Sequence, residues 1–165
     1  MLQLAAPTDA KGFRYVFEEI VVVGSDLENR EPATLLGQFA DFLSSAPLIE
    51  AIRRITGATD VAGADLKATC YRPGHFLTQH NDGQEMQRRV AYVLGLSPQW
   101  RPEWGGMLMF HGSRGDVELG LMPAMNVLNL FAVPQDHSVS QVSSFAPIPR
   151  YAISGWFRAP APGKG

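Results

Sequence analysis

The stretch from Leu66 to Asp82 reads LKATCYRPGHFLTQHND, and its punctuation decides the fold. Two short runs of strand-forming residues, Leu66–Arg72 and Phe76–His80, flank Pro73-Gly74, a pair that ends one strand and turns the chain into the next. The same rhythm continues downstream. Strands are expected near Arg88–Leu96, Met107–His111, Val117–Leu121, Met125–Phe131, Ser138–Val142 and Tyr151–Phe157. The breaks between them carry Asp82-Gly83, Pro98, Pro102, Gly105-Gly106, Gly112, Gly115, Pro123, Pro134, Pro147 and Pro149. Short strands at this spacing predict a sandwich or a barrel, of which the jelly roll is one form.

Upstream the apolar period changes. Leu35, Leu36, Phe39, Phe42 and Leu43 fall at three- and four-residue steps, and so do Leu48, Ile49, Ile52 and Ile55. Ser45 is the expected N-cap of the second helix, with Pro47 in its first turn and Gly57 as its stop. Phe13 to Val23, rich in aromatic and β-branched residues, reads as a strand. Helices grouped ahead of strands give an α+β class rather than a βαβ repeat. One domain over residues 1–165 is expected, with a strand and helices to about residue 60, a strand-rich core over about 63–158 and a flexible tail over 159–165.

Composition excludes several classes. Apolar residues make up 45% and charged residues 18%, the balance of a globular chain. Net charge is −2 and no basic run occurs, so nothing predicts a nucleic-acid partner. No apolar run is long enough to cross a membrane, and no basic-then-apolar leader opens the chain. Cys70 is the sole cysteine, which rules out an intrachain disulfide and suits a reducing compartment. A soluble cytoplasmic protein is the expectation.

Chemistry concentrates at two places. His80-Asn81-Asp82 sets an imidazole and a carboxylate two residues apart, which at a strand end share one face. One further histidine among His75, His111 and His137 would complete a two-histidine, one-carboxylate set able to hold Fe(II) with open positions left over. The plainer reading is a histidine and an aspartate that pair with each other or cap a turn. Near the C-terminus, Arg150, Ala152, Ser154 and Trp156 share one strand face. A buried guanidinium needs an anion, from the protein or from a ligand carboxylate gripped in bidentate fashion with help from Ser154. An arginine at a sheet edge with its head in water is the competing reading.

Seven pieces in one order then resemble a known family. They are Tyr71-Arg72-Pro73-Gly74, His80-x-Asp82, an arginine-led strand from Arg88, Trp104-Gly105-Gly106, Asn126 opening a late strand, His137-x-Val139-x-x-Val142, and the strand from Arg150 to Phe157. The helix ending Ile55-Thr56-Gly57 resembles the family's support helix. The chain resembles the 2-oxoglutarate/Fe(II)-dependent oxygenases, in their prolyl 4-hydroxylase-like branch, over about residues 44–158. The resemblance implies a double-stranded β-helix (jelly roll) with N-terminal support helices packed on one sheet. It implies His80, Asp82 and His137 as iron ligands and catalytic residues, and Arg150 as partner of the distal carboxylate of 2-oxoglutarate. Tyr71, Ser154 and Trp156 match co-substrate pocket positions.

The implied cofactors are Fe(2+), 2-oxoglutarate, O2 and L-ascorbate as reductant. The implied reaction couples oxidative decarboxylation of 2-oxoglutarate to hydroxylation of a peptidyl proline, with a protein or peptide as partner. A small-molecule substrate on the same scaffold, or a jelly-roll module that binds metal and carboxylate without turnover, are the alternatives. Two departures stand out. Arg150 lies thirteen residues after His137, more than is usual in the family, and Gly95-Leu96-Ser97 replaces a frequent Tyr-Leu-Asn, which leaves Tyr71 as the tyrosine for the co-substrate. An upstream helix or strand of the family is expected to be absent. Trp100 and Trp104 are expected to pack over the barrel edge, His75 and His111 to be loop residues, and residues 84–87 to be a mobile segment on polarity alone.

Overall fold

A computed structural model describes residues 3–5, 12–23 and 34–160; of the expected tail, 161–165 lie outside the described residues. Among the described residues, eleven strands form one curled, antiparallel sheet. In chain order they are β1 (Gln3–Ala5), β2 (Tyr15–Val23), β3 (Gly63–Ala64), β4 (Leu66–Tyr71), β5 (Phe76–His80), β6 (Arg88–Gly95), β7 (Leu108–His111), β8 (Val117–Leu121), β9 (Val127–Ala132), β10 (His137–Val139) and β11 (Arg150–Arg158). Two helices, α1 (Leu35–Leu43) and α2 (Ala46–Thr56), precede β3. The spatial order is β8-β7-β10-β5-β2-β4-β11-β6-β9, with β1 on β2 and β3 on β11.

This is the expected jelly roll. One layer is β5-β10-β7-β8 and the other is β4-β11-β6-β9; Phe110 of β7 meets Phe131 of β9 edge-on at 5.0 Å where the layers close on each other. The layers are joined by β2, whose Tyr15 and Val16 pair with β5 while Glu18 to Val23 pair with β4. A strand had been expected at this place in the sequence, but its position between the two layers is a new finding.

The helices pack on the outer face of the β4-β11-β6 layer. Ala40, Leu43, Ile49 and Ile52 bury against Val61, Leu66, Val90, Tyr92, Ile153 and Phe157, which gives the apolar helix stripe its partner. Thr34 caps α1 by accepting the Gly37 N–H at 3.0 Å. Ser45 occupies the N-cap of α2, but its side chain makes no capping hydrogen bond there; Pro47 in the first turn needs no partner for its nitrogen. Gly57 ends α2 in the left-handed region with φ 76°. A second cluster is formed by Phe17, Tyr71, Trp100, Val139, Val142 and Ala146. Trp100 and Trp104 belong to this packing, with the Trp100 indole N–H donated to the Gly105 carbonyl at 2.9 Å.

Strand limits differ from expectation at one place that matters. The strand expected at Ser138–Val142 begins at His137 and ends at Val139. Val142 makes an isolated bridge to Gly105 instead. Among the described residues no helix is long and apolar enough to cross a membrane.

Candidate active site

His80 closes β5, and His137 opens β10 directly opposite it as its registered partner. Their rings lie 4.1 Å apart, centroid to centroid. Asp82 comes after the strand has ended, in the left-handed region with φ 61°. Strand alternation is therefore not what brings Asp82 to the face of His80. The turn does it, helped by the Asn81 side chain accepting the Gly83 N–H at 3.1 Å. A left-handed aspartate is a mildly strained residue held by its surroundings.

The ligand atoms of His80, Asp82 and His137 all lie within 4.8 Å of one another. Each imidazole Nδ1 meets a backbone carbonyl, Thr78 at 3.0 Å for His80 and Gln135 at 2.7 Å for His137. A carbonyl only accepts, so each Nδ1 carries the proton and each Nε2 turns a lone pair inward. Those Nε2 atoms stand 3.5 Å from the two oxygens of Asp82. Burial, reinforced by the neighbouring His137, holds the His80 imidazole below its ordinary pKa against the pull of Asp82. Neutral imidazoles and a carboxylate converging on one point are a donor set that a divalent cation fits.

The arginine lies in the same cavity, which is about 450 Å³. Arg150 is 4% exposed, and among the described residues no carboxylate pairs with it. Its Nε has no hydrogen-bond partner, and its guanidinium sits 5.0 Å over the Tyr71 ring. Burial lowers its pKa, but a guanidinium keeps its charge at any working pH. A buried cation without an anion is costly, and a carboxylate entering the cavity would offset that cost. The Trp104-Gly105-Gly106 motif makes room for it: a side chain at Gly106 would meet Arg150 Cδ at 3.0 Å and Val142 at 3.3 Å.

Tyr71, Ser154 and Trp156 line this cavity. Burial pushes the Tyr71 phenol far up, so it stays protonated and able to donate. Gly95 leaves no space for a side chain, because a Cβ there would lie 2.1 Å from the Ala124 carbonyl oxygen. Trp156 does more than line the wall. Its indole N–H donates to Asp82 Oδ2 at 3.0 Å. Neither His75 nor His111 reaches the cavity; His111 Nε2 pairs with the Ser138 hydroxyl at 2.8 Å. Within the 84–87 segment, Glu85 accepts from Arg88 and Arg158.

Sequence reasoning missed the contribution of β2 and its lead-in. Phe13, Tyr15 and Phe17 form a ladder of rings 5.3 and 5.4 Å apart, running from His80 (5.2 Å from Phe13) to Tyr71 (5.0 Å from Phe17). The available signal was an aromatic at every second residue. Phe131, 4.8 Å from the His137 ring, was missed as well.

Fold and cluster together define a jelly-roll domain with a two-histidine, one-carboxylate centre and a buried arginine in one cavity. The family model described as the 2OG-Fe(II) oxygenase superfamily matches residues 66–158, more than half of the chain, and the chain belongs to that superfamily. It is 32% identical over 134 residues to the prolyl 3-hydroxylase OGFOD1 of Mus musculus, covering 70% of this chain and 24% of that protein. The chain thus spans about a quarter of the length of the curated relatives it matches. Among solved structures it resembles a Pseudomonas putida prolyl-4-hydroxylase, with TM-score 0.69 and 22% identity over 95% of this chain and 77% of the other. It also resembles a Trichoplax adhaerens prolyl hydroxylase in complex with a hypoxia inducible factor peptide fragment, with TM-score 0.62, 21% identity and coverage of 94% and 70%. The prolyl hydroxylase-like branch expected from the motifs is the one these relatives represent.

Proposed function

We propose that this chain is an Fe(II)- and 2-oxoglutarate-dependent dioxygenase that hydroxylates a prolyl residue of a peptide or protein. The observation that carries the reading is the unpaired, buried Arg150 in the cavity that also holds His80, Asp82 and His137. His80, Asp82 and His137 would hold Fe(2+), which would supply the site for 2-oxoglutarate and O2 chemistry. With these bound, the centre supplies decarboxylation of 2-oxoglutarate to succinate and CO2, coupled to hydroxylation of a C–H bond.

Arg150 grips the distal carboxylate through charge-assisted hydrogen bonds, and the Tyr71 phenol and Ser154 hydroxyl donate along the same wall. The apolar rings of Phe17 and Phe131 line the same cavity. The catalytic unit is the jelly roll over about 63–158, buttressed by β2 and the two helices. The peptide class of substrate is supported by the relatives, which include prolyl hydroxylases and one structure with a bound peptide fragment. A cytoplasmic setting suits a chain whose only cysteine, Cys70, is buried and free.

The test is turnover with Fe(II), 2-oxoglutarate and ascorbate. Slow succinate release without substrate is expected, rising when the right proline-bearing peptide is added, with one oxygen atom gained in its mass. His80→Ala should abolish both. A protein that binds Fe(II) and 2-oxoglutarate yet releases no succinate would be a binding module, and the proposal would fail.

A further inference from the structure

Along and behind the cavity wall, five charged side chains and one indole form a connected network. Asp65 is 5% exposed, and both of its oxygens are used. Its Oδ1 accepts the Trp156 backbone N–H at 2.6 Å, and its Oδ2 accepts Arg158 Nη1 at 2.8 Å. Arg158 Nη2 donates to Glu85 Oε2 at 2.5 Å, and the other Glu85 oxygen accepts Arg88 Nη2 at 2.7 Å. The Arg88 guanidinium lies 3.5 Å over the centroid of the Trp156 ring, with its Nη1 3.6 Å from Asp82 Oδ1. Trp156 completes the network by donating its indole N–H to Asp82 Oδ2 at 3.0 Å.

The sheet register explains why Glu85 is needed. Arg88 and Arg158 are paired residues on neighbouring strands, where like charges repel. The Glu85 carboxylate bridges them and turns a repulsive pair into a clasp. Without it, Arg88 loses the contact that holds it flat on the indole. Arg88 would then be drawn toward Asp82, whose Oδ1 lies 3.6 Å from its Nη1.

We propose that Glu85 and Arg158 are positioning residues for Asp82, holding Arg88 on Trp156 so that the indole N–H engages one carboxylate oxygen and leaves the other for the metal. This rests on the reading of Asp82 as a metal ligand. Neither Glu85 nor Arg158 lines the cavity, so neither contacts substrate or metal. Groups that orient a metal ligand typically change metal affinity 10- to 100-fold when removed.

The test is Co(II) affinity of the full chain, measured by competition with a chromophoric chelator and without turnover. Trp156→Phe, which keeps the ring and removes the N–H, should weaken binding about 10- to 100-fold. Glu85→Gln, at a side chain 40% exposed, should weaken it about 3- to 10-fold while the metal-free thermal midpoint stays at the parent value. The double variant should bind no more weakly than Trp156→Phe alone, because both act on Asp82 by one route. Arg158→Lys, which loses the planar fork whose two ends reach Asp65 and Glu85, should reproduce the Glu85→Gln loss. Full affinity in Glu85→Gln, or losses that multiply in the double variant, would overturn the inference. Asp82→Ala is the control: unchanged Co(II) binding there would sink the site reading itself, whereas its loss alongside intact clasp variants would sink only the clasp.

Discussion

Replacing Arg150 by methionine separates two effects that usually travel together. The guanidinium is buried without a carboxylate, so its removal should leave the unliganded protein within about 1 kcal/mol of parent stability, or above it. The thermal stabilisation that 2-oxoglutarate gives should disappear, and the apparent KM for it should rise on the order of 100-fold, matching about 1.5–3 kcal/mol for a hydrogen bond to a charged group. Urea denaturation and a 2-oxoglutarate titration of the same variant check both halves. Gly106→Ala should cost about 1 kcal/mol or more by urea denaturation, since its φ of 65° suits glycine and the new methyl presses on Arg150. The identities of these residues were open to reading from the sequence because their types are rare in such spacings. The left-handed backbone at Asp82 and the Trp156 N–H to its carboxylate were not, because both depend on contacts across 74 positions of chain in the second case and on a turn in the first.

At the level of elements, β2 is where expectation and structure part most. Alternating aromatics from Phe13 to Phe17 mark a strand, but a period of two says nothing about which strands it joins. Because Phe17 sits in the second apolar cluster and stacks on Tyr71, Phe17→Ala should cost about 3–5 kcal/mol in chemical denaturation. β2 is also tied to the turn after β4 by Arg72, whose Nε donates to Glu18 at 2.9 Å. That hydrogen bond holds the Glu18 carboxyl below its ordinary pKa, so its contribution is complete above about pH 4.3 and is lost as pH falls further. The arginine is half exposed, so Arg72→Ala should lower stability only slightly at neutral pH, and the gap between variant and parent should close in acid. A gap that stayed constant down to pH 3 would mean the arginine acts through packing instead. The short strands were legible because Pro and Gly punctuate them. β10 was misjudged because Val139 and Val142 suggested one continuous strand, whereas Val142 is claimed by Gly105.

For the molecule as a whole, ligand linkage gives the most direct check. Fe(II) or Co(II) with 2-oxoglutarate, each at one hundred times its Kd, should each stabilise the fold by about 2.7 kcal/mol, and a chelator should reverse the metal's share. Calorimetric midpoints with and without each ligand measure it. The fold class could be read from helices preceding strands, but the pairing order could not, since it is set by partners far apart in the chain. That order has a consequence for how the protein is made. β11, the last strand described, lies in the middle of its layer between β4 and β6. While the chain emerges from the ribosome, β4 and β6 must wait with a strand-wide slot between them, and the helices above have only part of their floor to cover. Nascent chains stopped before Arg150 should therefore stay open to proteases and bound by chaperones, and protection should arrive in one step when the final strand threads into the gap.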